Sequence, residues 1–266
     1  MVRKSIKKLY AFLIFFFLYA PIIVLIVFSF NESKSRGTFT GFSLKWYEQL
    51  FSNREIIEAL SNTMLIAVVS TVAATILGTF AAIGIHYSKK GLFKTASLNL
   101  NYLPILNPDI VIAVSLMALY RLIGMDFGLA TILLSHITFC TPYVVLAILP
   151  KLKQMNKYLA EAAMDLGATP FYALRKVIIP EIMPGIMTGA LLAFTLSVDD
   201  FAISFFTTGH GIQNLSIYIF SEARRGLNPV INALSTFMLI GFFILLLIIN
   251  KIGSKDLSQK SIKVKQ

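Results

Sequence analysis

Six stretches of this chain are apolar for long enough to cross a lipid bilayer, and that constrains the fold more than any motif does. Their approximate limits are 10–30, 64–87, 98–122, 128–149, 182–207 and 230–250. Hydrocarbon about 30 Å thick asks for roughly 20 apolar residues per helix. The runs lack the alternation, in strands of about ten residues, that builds a transmembrane barrel. Inside lipid every backbone amide and carbonyl needs a partner, and a helix supplies them within its own segment. The sequence therefore predicts an all-α integral membrane protein with six transmembrane helices. Composition agrees: 56% of the 266 residues are hydrophobic, 14% are charged, and the mean hydropathy is +0.75, well outside the makeup of a soluble domain.

Orientation follows from lysine and arginine. With the N-terminus inside, 17 of the 24 fall in cytosolic segments: Arg3, Lys4, Lys7 and Lys8; Lys89, Lys90 and Lys94; Lys151, Lys153, Lys157, Arg175 and Lys176; and Lys251, Lys255, Lys260, Lys263 and Lys265. Excess positive charge marks the cytosolic side, so both termini are expected there. Those segments hold only four acids, Glu161, Asp165, Glu181 and Asp256, so the net charge of +11 is concentrated on one face. Anionic lipid headgroups account for it without nucleic acid. The first apolar stretch has a basic start like a signal peptide, but its apolar core is near 20 residues and no small-residue cleavage site follows it, so a retained helix is expected. Residues 1–60 then form a first helix and an outer loop, 61–250 a membrane core with a cytosolic loop at 151–181, and 251–266 a basic cytosolic tail. The outer loop, 31–63, is balanced in charge, carries the lone Trp46, and reads as a partly helical surface segment. Cys140, the single cysteine, can form no intrachain disulfide and reads as a small packing residue.

The loop 151–181 is the most informative segment. Leu159, Ala162, Ala163 and Leu166 fall at i, i+3, i+4 and i+7, one face of a two-turn helix. Gly167 supplies a helix stop. Thr169 and Pro170 then read as an N-cap with proline in the first turn, starting a second helix that runs toward Pro180. By spacing alone this is either a docking element or an ordinary amphipathic connector.

The run "EAAMDLGATPFYALRKVIIP", Glu161 to Pro180, resembles the EAA motif of the transmembrane subunits of binding-protein-dependent ABC importers. Glu161, Ala162, Ala163, Gly167 and Pro180 match in register, while Val177 and Ile179 stand where the family has isoleucine and leucine. The resemblance implies a type I ABC importer permease fold and a coupling helix seated on a separate ATP-hydrolysing subunit, with Glu161, Ala162, Ala163, Asp165 and Gly167 at the contact. Glu161 also suits a helix N-terminus through the dipole, and Asp165 also suits a solvated face. No glycine in the chain is followed by lysine, so no P-loop is present to hold ATP. No cofactor is expected on this chain, and ATP is expected to be used by the partner.

Carboxylates inside an apolar run need a reason, since each costs about 3 kcal/mol at a membrane helix centre on insertion scales. "LLAFTLSVDDFAISFF", Leu191 to Phe206, holds two. Read as one continuous helix, it lines Asp200 up with Ala193, Ser197, Ser204 and Thr207, a small polar stripe suited to a wet cavity. Asp199 follows Thr188 and Thr195 beside Phe206, which suits a bond to a neighbouring helix. Either acid attracts a cationic solute, or it makes a structural hydrogen bond or an ion pair with Arg121, Arg224 or Arg225. Asp109, in "NPDIV", restarts a helix behind Asn107 and Pro108 after an expected break at Pro104; broken helices also line transport sites. Phe201, Phe205 and Tyr218 suit cation-π contact, yet with 22 Phe, 10 Tyr and 1 Trp packing is the commoner use of a ring. His86, His136 and His210 show no pairing with one another or with Cys140 that marks a metal site or a catalytic dyad. Helix-end or packing roles are expected for them, with no catalytic and no metal residues.

"FTLSVDDFAISFFTTG", "SHITFCTPYVVLAILP" and "GLNPVINALST" narrow the resemblance to the PotC-type permeases of spermidine/putrescine importers, over about Ser61 to Asn250. It implies a polyamine path through Asp199, Asp200 and Asp109 in a bacterial cytoplasmic membrane. The implied partners are a homologous PotB-type permease, two PotA-type ATPase subunits and an external PotD-type polyamine-binding protein. Alternatives are a permease for another small organic cation or solute, and an ion-coupled secondary transporter that works without nucleotide.

Overall fold

The computed structural model describes residues 4–35, 37–89, 91–156, 158–209, 211–226 and 228–244, together with Leu247. The expected basic tail 251–266, with Lys251, Lys255, Asp256, Lys260, Lys263 and Lys265, lies outside the described residues. So do Arg3, Lys90, Lys157, His210 and most of the end of the last apolar stretch.

In chain order α1 is Lys4–Ser29, α2 Lys45–Ser52, α3 Arg54–Tyr87, α4 Leu92–Leu106, α5 Asp109–Leu122 and α6 Leu129–Gln154. There follow α7 Leu159–Asp165, α8 Pro170–Ala173, α9 Ile179–Asp199, α10 Ala202–Thr207 and α11 Leu215–Arg225, then α12, Val230–Ile244. A π-helical turn, Leu174–Ile178, joins α8 to α9 without interruption. Among the described residues, extended pairing is confined to one bridge between Asn31 and Phe42. The molecule is all-helical, as its apolar runs require.

Among the described residues, four helices are long and apolar enough to cross a membrane singly: Ile6–Ser29, Arg54–Tyr87, Leu129–Gln154 and Pro170–Asp199. Two of the six expected spans differ from continuous helices. The stretch 98–122 is divided between α4 and α5, which meet at 109°. The break falls not at Pro104, which lies inside α4, but at Asn107 (φ −85°, ψ 146°) and Pro108 (φ −58°, ψ 139°), because the Pro108 ring disfavours helical geometry in the residue before it. The stretch 182–207 breaks after Asp199, where Asp200 takes extended angles (φ −63°, ψ 124°). Among the described residues the last stretch is helical over Val230–Ile244. In the other direction, α3 begins ten residues before the expected start at 64. Its 34 residues measure about 50 Å at 1.5 Å each, more than the hydrocarbon needs.

Contacts divide the chain into two compact units, Met1–Ile57 with Ile219–Gln266, and Glu58–Tyr218. In the first, the outer segment is organised by Asn31, which is fully buried. Its amide nitrogen donates to the carbonyls of Ser35 and Thr38, its side-chain oxygen accepts from Thr40 N, and its own carbonyl accepts from Trp46 Nε1 at 2.6 Å. The Tyr47 hydroxyl meets Ser29 Oγ at 2.8 Å, fastening α2 to the end of α1. Phe51 meets Phe237 edge to face at 5.5 Å between centroids.

In the second unit the core is built around α6, whose Phe139, Val144, Val145, Ile148 and Leu152 are buried with Ala74, Ala82, Ile182, Ala193 and Ile203. Close approach depends on small residues. A Cβ on Gly189 of α9 would stand 3.1 Å from Val144 Cα, and one on Gly78 of α3 would stand 2.7 Å from Val144 Cγ1. Membrane helices gain little from the hydrophobic effect against each other, so such backbone contact carries much of their association.

Candidate functional site

The connector between α6 and α9 follows the sequence expectation closely. Helix α7 ends at Asp165, and Gly167 takes φ +91°, a conformation open to glycine and costly for other residues. The Gly167 amide donates to Met164 O at 2.9 Å and the Ala168 amide to Ala163 O at 3.1 Å. These two bonds are the reciprocal pair of a Schellman stop. Thr169 then caps α8, its Oγ1 accepting from Tyr172 N at 3.3 Å, with Pro170 in the first turn. Helix α7 packs against α8 and the π turn. Leu159, Ala160 and Leu174 lean on the core while Ala173 and Ile178 are buried.

One detail of the expected apolar face differs. Leu159 tucks inward, but Leu166 is 90% exposed, because α7 ends one residue before it and Leu166 leaves the helical face as the C-cap. Phe171 and Tyr172 are exposed as well. Ala163, Leu166, Gly167, Ala168, Thr169 and Tyr172 line an open notch of about 470 Å³. Glu161, Ala162 and Asp165 are exposed and Ala163 half-buried. The connector is thus an anchored elbow presenting apolar groups outward.

The aspartates occupy a second break. The Asp200 amide still bonds Leu196 O, finishing α9. Its carboxylate reaches forward to start α10, Oδ1 accepting from Ile203 N at 3.2 Å and Oδ2 from Ser204 N at 2.7 Å. Ionised acceptors on free helix amides are among the stronger hydrogen bonds. Asp200 is only 8% exposed, and Ala193, Ser197, Ser204 and Thr207, the stripe expected to face a wet cavity, are buried with it. The stripe is a packed seam: α9 lies along α6, and after the turn at Asp200 α10 lies against α5 and α6.

Asp199, expected to bond a neighbouring helix, is exposed instead, on the face of α9 that carries the exposed Thr188 and Thr195. Asp109, the first residue of α5, is exposed too. Asp199 lies near enough to Asp200 for its charge to act on that carboxylate, and Asp200 near enough to Asp109 to act on it. The structure therefore gathers the three acids into one neighbourhood, two outward and one sealed in. Among the described residues the arginines go elsewhere. Arg121 lies over the Phe127 ring at 4.9 Å, Arg224 over Phe220 at 4.9 Å, and Arg225 is 3.6 Å from Glu222. Phe201 and Phe205 meet each other at 5.3 Å beside the break.

Histidine 136 was expected to be a packing residue, and its environment is richer than that. Buried on α6, it places Nδ1 2.8 Å from Ser197 Oγ and Nε2 3.0 Å from Ser204 Oγ, with Asp200 Oδ2 at 3.6 Å. Asn214 Nδ2 donates to Ser204 Oγ at 2.7 Å. The available signal was local: "SHIT", Ser135 to Thr138, puts a histidine between hydroxyls in a run otherwise apolar. Among the described residues no cluster of three or more His, Cys, Asp or Glu is placed to hold a metal ion.

The sequence model of the family described as binding-protein-dependent transport system inner membrane component matches residues 74–259. The chain belongs to that family. It is 39% identical, over 90% of its own length and 93% of the relative's, to a protein of Haemophilus influenzae named spermidine/putrescine transport system permease protein PotC. It is also 39% identical, over 90% of its length and 87% of the relative's, to the putrescine transport system permease protein PotI of Escherichia coli. In fold it resembles a chain of a bacterial ABC transporter that imports the acidic polysaccharide alginate, at 20% identity, TM-score 0.73, and coverage of 94% of this chain and 96% of the other. At that identity the likeness speaks to the fold, which is that of a type I ABC importer permease. The chain is accordingly a membrane transport component.

Proposed function

We propose that this protein is a permease subunit of an ATP-driven importer of polyamines. The observation that carries the reading is the identity to the PotC and PotI permeases along nine-tenths of the chain, joined to a cluster of acids suited to a flexible polycation. In the working protein six segments cross the bacterial cytoplasmic membrane with both termini in the cytosol, as the distribution of lysine and arginine favours. A PotB-type permease completes the passage, two PotA-type subunits hydrolyse ATP below it, and a PotD-type binding protein delivers solute from outside.

The exposed Asp199 and Asp109 are the groups that meet the solute, and Asp200 adds its charge from beneath the surface. A carboxylate and an ammonium 4 Å apart attract by about 1 kcal/mol in water and by about 4 kcal/mol at an effective dielectric constant of 20. A passage that excludes most water therefore multiplies the pull on each amine. The outward apolar elbow at Leu166 and Phe171 meets the ATPase, with Glu161, Ala162, Ala163, Asp165 and Gly167 around it. ATP binding moves the elbow, and the continuous path from α8 through the π turn into α9 carries that motion to the acids. The passage opens outward to receive the cation and inward after hydrolysis.

The test is reconstitution with the three partners in proteoliposomes, measuring polyamine uptake and polyamine-dependent ATP hydrolysis together. Both are expected, and Asp199→Asn is expected to cut uptake by about tenfold, the scale of one charge-assisted contact. Uptake by the chain without nucleotide or ATPase would overturn the reading in favour of an ion-coupled transporter. Hydrolysis stimulated by an uncharged solute and not by polyamine would move it to another substrate.

A further inference from the structure

The break at Asp200 leaves a question that capping alone does not answer. Asp200 satisfies the first free amides of α10, but nothing in that interaction fixes the last turn of α9, which carries Asp199. The buried histidine on α6 does.

His136 sits between the two sides of the break. Its Nδ1 faces Ser197 Oγ, in the last turn of α9, at 2.8 Å, and its Nε2 faces Ser204 Oγ, in α10, at 3.0 Å. All three residues are at most 1% exposed. Ser204 Oγ also accepts Asn214 Nδ2–H at 2.7 Å, and the Ser204 amide donates to Asp200 Oδ2 at 2.7 Å. A neutral imidazole has one donor and one acceptor nitrogen, so one serine hydroxyl donates to the ring and the other accepts from it. Hydroxyl, imidazole and hydroxyl thus form one chain of hydrogen bonds across the break.

The geometry makes that chain a clamp with an output. Residues two apart on a helix point about 200° apart, so when Ser197 is held against α6 the carboxylate of Asp199 must point away from it. That is the observed pairing, Ser197 buried and Asp199 exposed. An apolar residue at 136 could fill the volume but could not hold both serines. Ser197 could return to its own helix as Thr188 and Thr195 do, bonding the carbonyl four residues back, and the break would be free to flex.

We propose that His136 is a positioning residue of the solute path: clamped between Ser197 and Ser204, it locks the helix break and sets the direction in which Asp199 meets a passing cation. The inference rests on the reading of Asp199 given above, and its test separates the two.

The assembled importer, with its ATPase and binding protein, is reconstituted carrying His136→Leu, His136→Gln, Asp199→Asn, or Asp199→Asn with His136→Leu. Spermidine uptake and ATP hydrolysis are measured in the same vesicles. His136→Leu is expected to lower the number of spermidine molecules moved per ATP by about tenfold, with hydrolysis within about twofold of the unaltered complex. His136→Gln, which keeps one donor and one acceptor, restores most of the ratio. The double variant is no worse than Asp199→Asn alone, because residues acting through one another are not additive. Parallel loss of uptake and hydrolysis with no rescue by Gln, or full additivity in the double variant, overturns the inference. If Asp199→Asn transports normally, the reading of the path is what fails, and the clamp is judged on geometry. Spin labels at positions 188 and 205, both exposed and on opposite sides of the break, should then give a distance distribution broadened by His136→Leu. An unchanged distribution overturns the clamp.

Discussion

Two breaks in this chain turn one helix into another by opposite chemistry. At the α7–α8 elbow the turn is made by backbone conformation: Gly167 at φ +91° lets two amides close on the carbonyls of Ala163 and Met164, and the side chains around it are exposed. At the α9–α10 break there is no glycine and no positive φ. The free amides are taken by a carboxylate, the carboxylate is held by Ser204, and the break is braced by His136, all of it buried. Unpaired polar groups can turn to water on a surface but not in an apolar interior, where each costs roughly what a lost hydrogen bond does or more. An open break therefore needs only a permissive residue, while a sealed one needs a full set of partners.

The sharpest way to break that comparison is to remove a partner from the sealed site. Asp200→Leu leaves the buried amides of Ile203 and Ser204 without their acceptor, and should destabilise the protein by about 3 kcal/mol or more. Asp200→Asn keeps an acceptor of good capping type and should cost about 1 kcal/mol. Thermal unfolding in detergent checks the order Leu, Asn, unaltered. If the Leu and Asn variants melt together, Asp200 is not the cap that holds α10.

The open break should respond more weakly and through the backbone. A Cβ at Gly167 would meet no atom within 4 Å, so Gly167→Val carries no steric clash with neighbours, only the left-handed penalty of about 1–2 kcal/mol. Under the proposed coupling role, it lowers transport and solute-stimulated ATP hydrolysis together, with a melting temperature near normal. Gly167→Asn, which tolerates that conformation, should be milder. Thr169→Ala removes the α8 cap, worth about 1 kcal/mol. Faster cleavage of the elbow by protease, restored by Thr169→Ser, is the expected result.

The contrast also explains how much of each site was legible in the sequence. The elbow could be read residue by residue, since glycine, the Thr–Pro pair and the apolar spacing act through local backbone rules that leave marks in order. The exposure of Ala162 and Leu166 was not legible there, and Leu166 leaves the helical face because the helix stops one residue before it. The sealed break was legible as an anomaly, two acids in an apolar run, but not as a structure. Nothing near Asp200 in sequence says that the helix stops there: no glycine or proline follows, and Phe201 and Ala202 would continue it comfortably. The cause lies 64 residues earlier, in His136, and 14 residues later, in Asn214. The groupings were legible, Asp199 with Thr188 and Thr195 and Asp200 with Ala193, Ser197, Ser204 and Thr207, but which group is buried is decided by α5 and α6, far away in sequence. The same limit applies at Asn107, where Pro108 marked a helix start but not the 109° between α4 and α5.

The smallest expected change in folding comes from the most exposed residue of the open break. Leu166 is 90% exposed, so Leu166→Ser removes almost no buried apolar surface and should shift stability by less than about 0.5 kcal/mol. A partner that covers this side chain would lose its burial, worth about 1.5–3 kcal/mol for a leucine moved fully out of water. The expected outcome is a normally folded permease that associates more weakly with the ATPase and is stimulated less by loaded binding protein. A melting temperature that falls with the coupling would mean that Leu166 supports the elbow from within. Separation of the two readouts would mean that this break was left open because its apolar surface is meant for another chain.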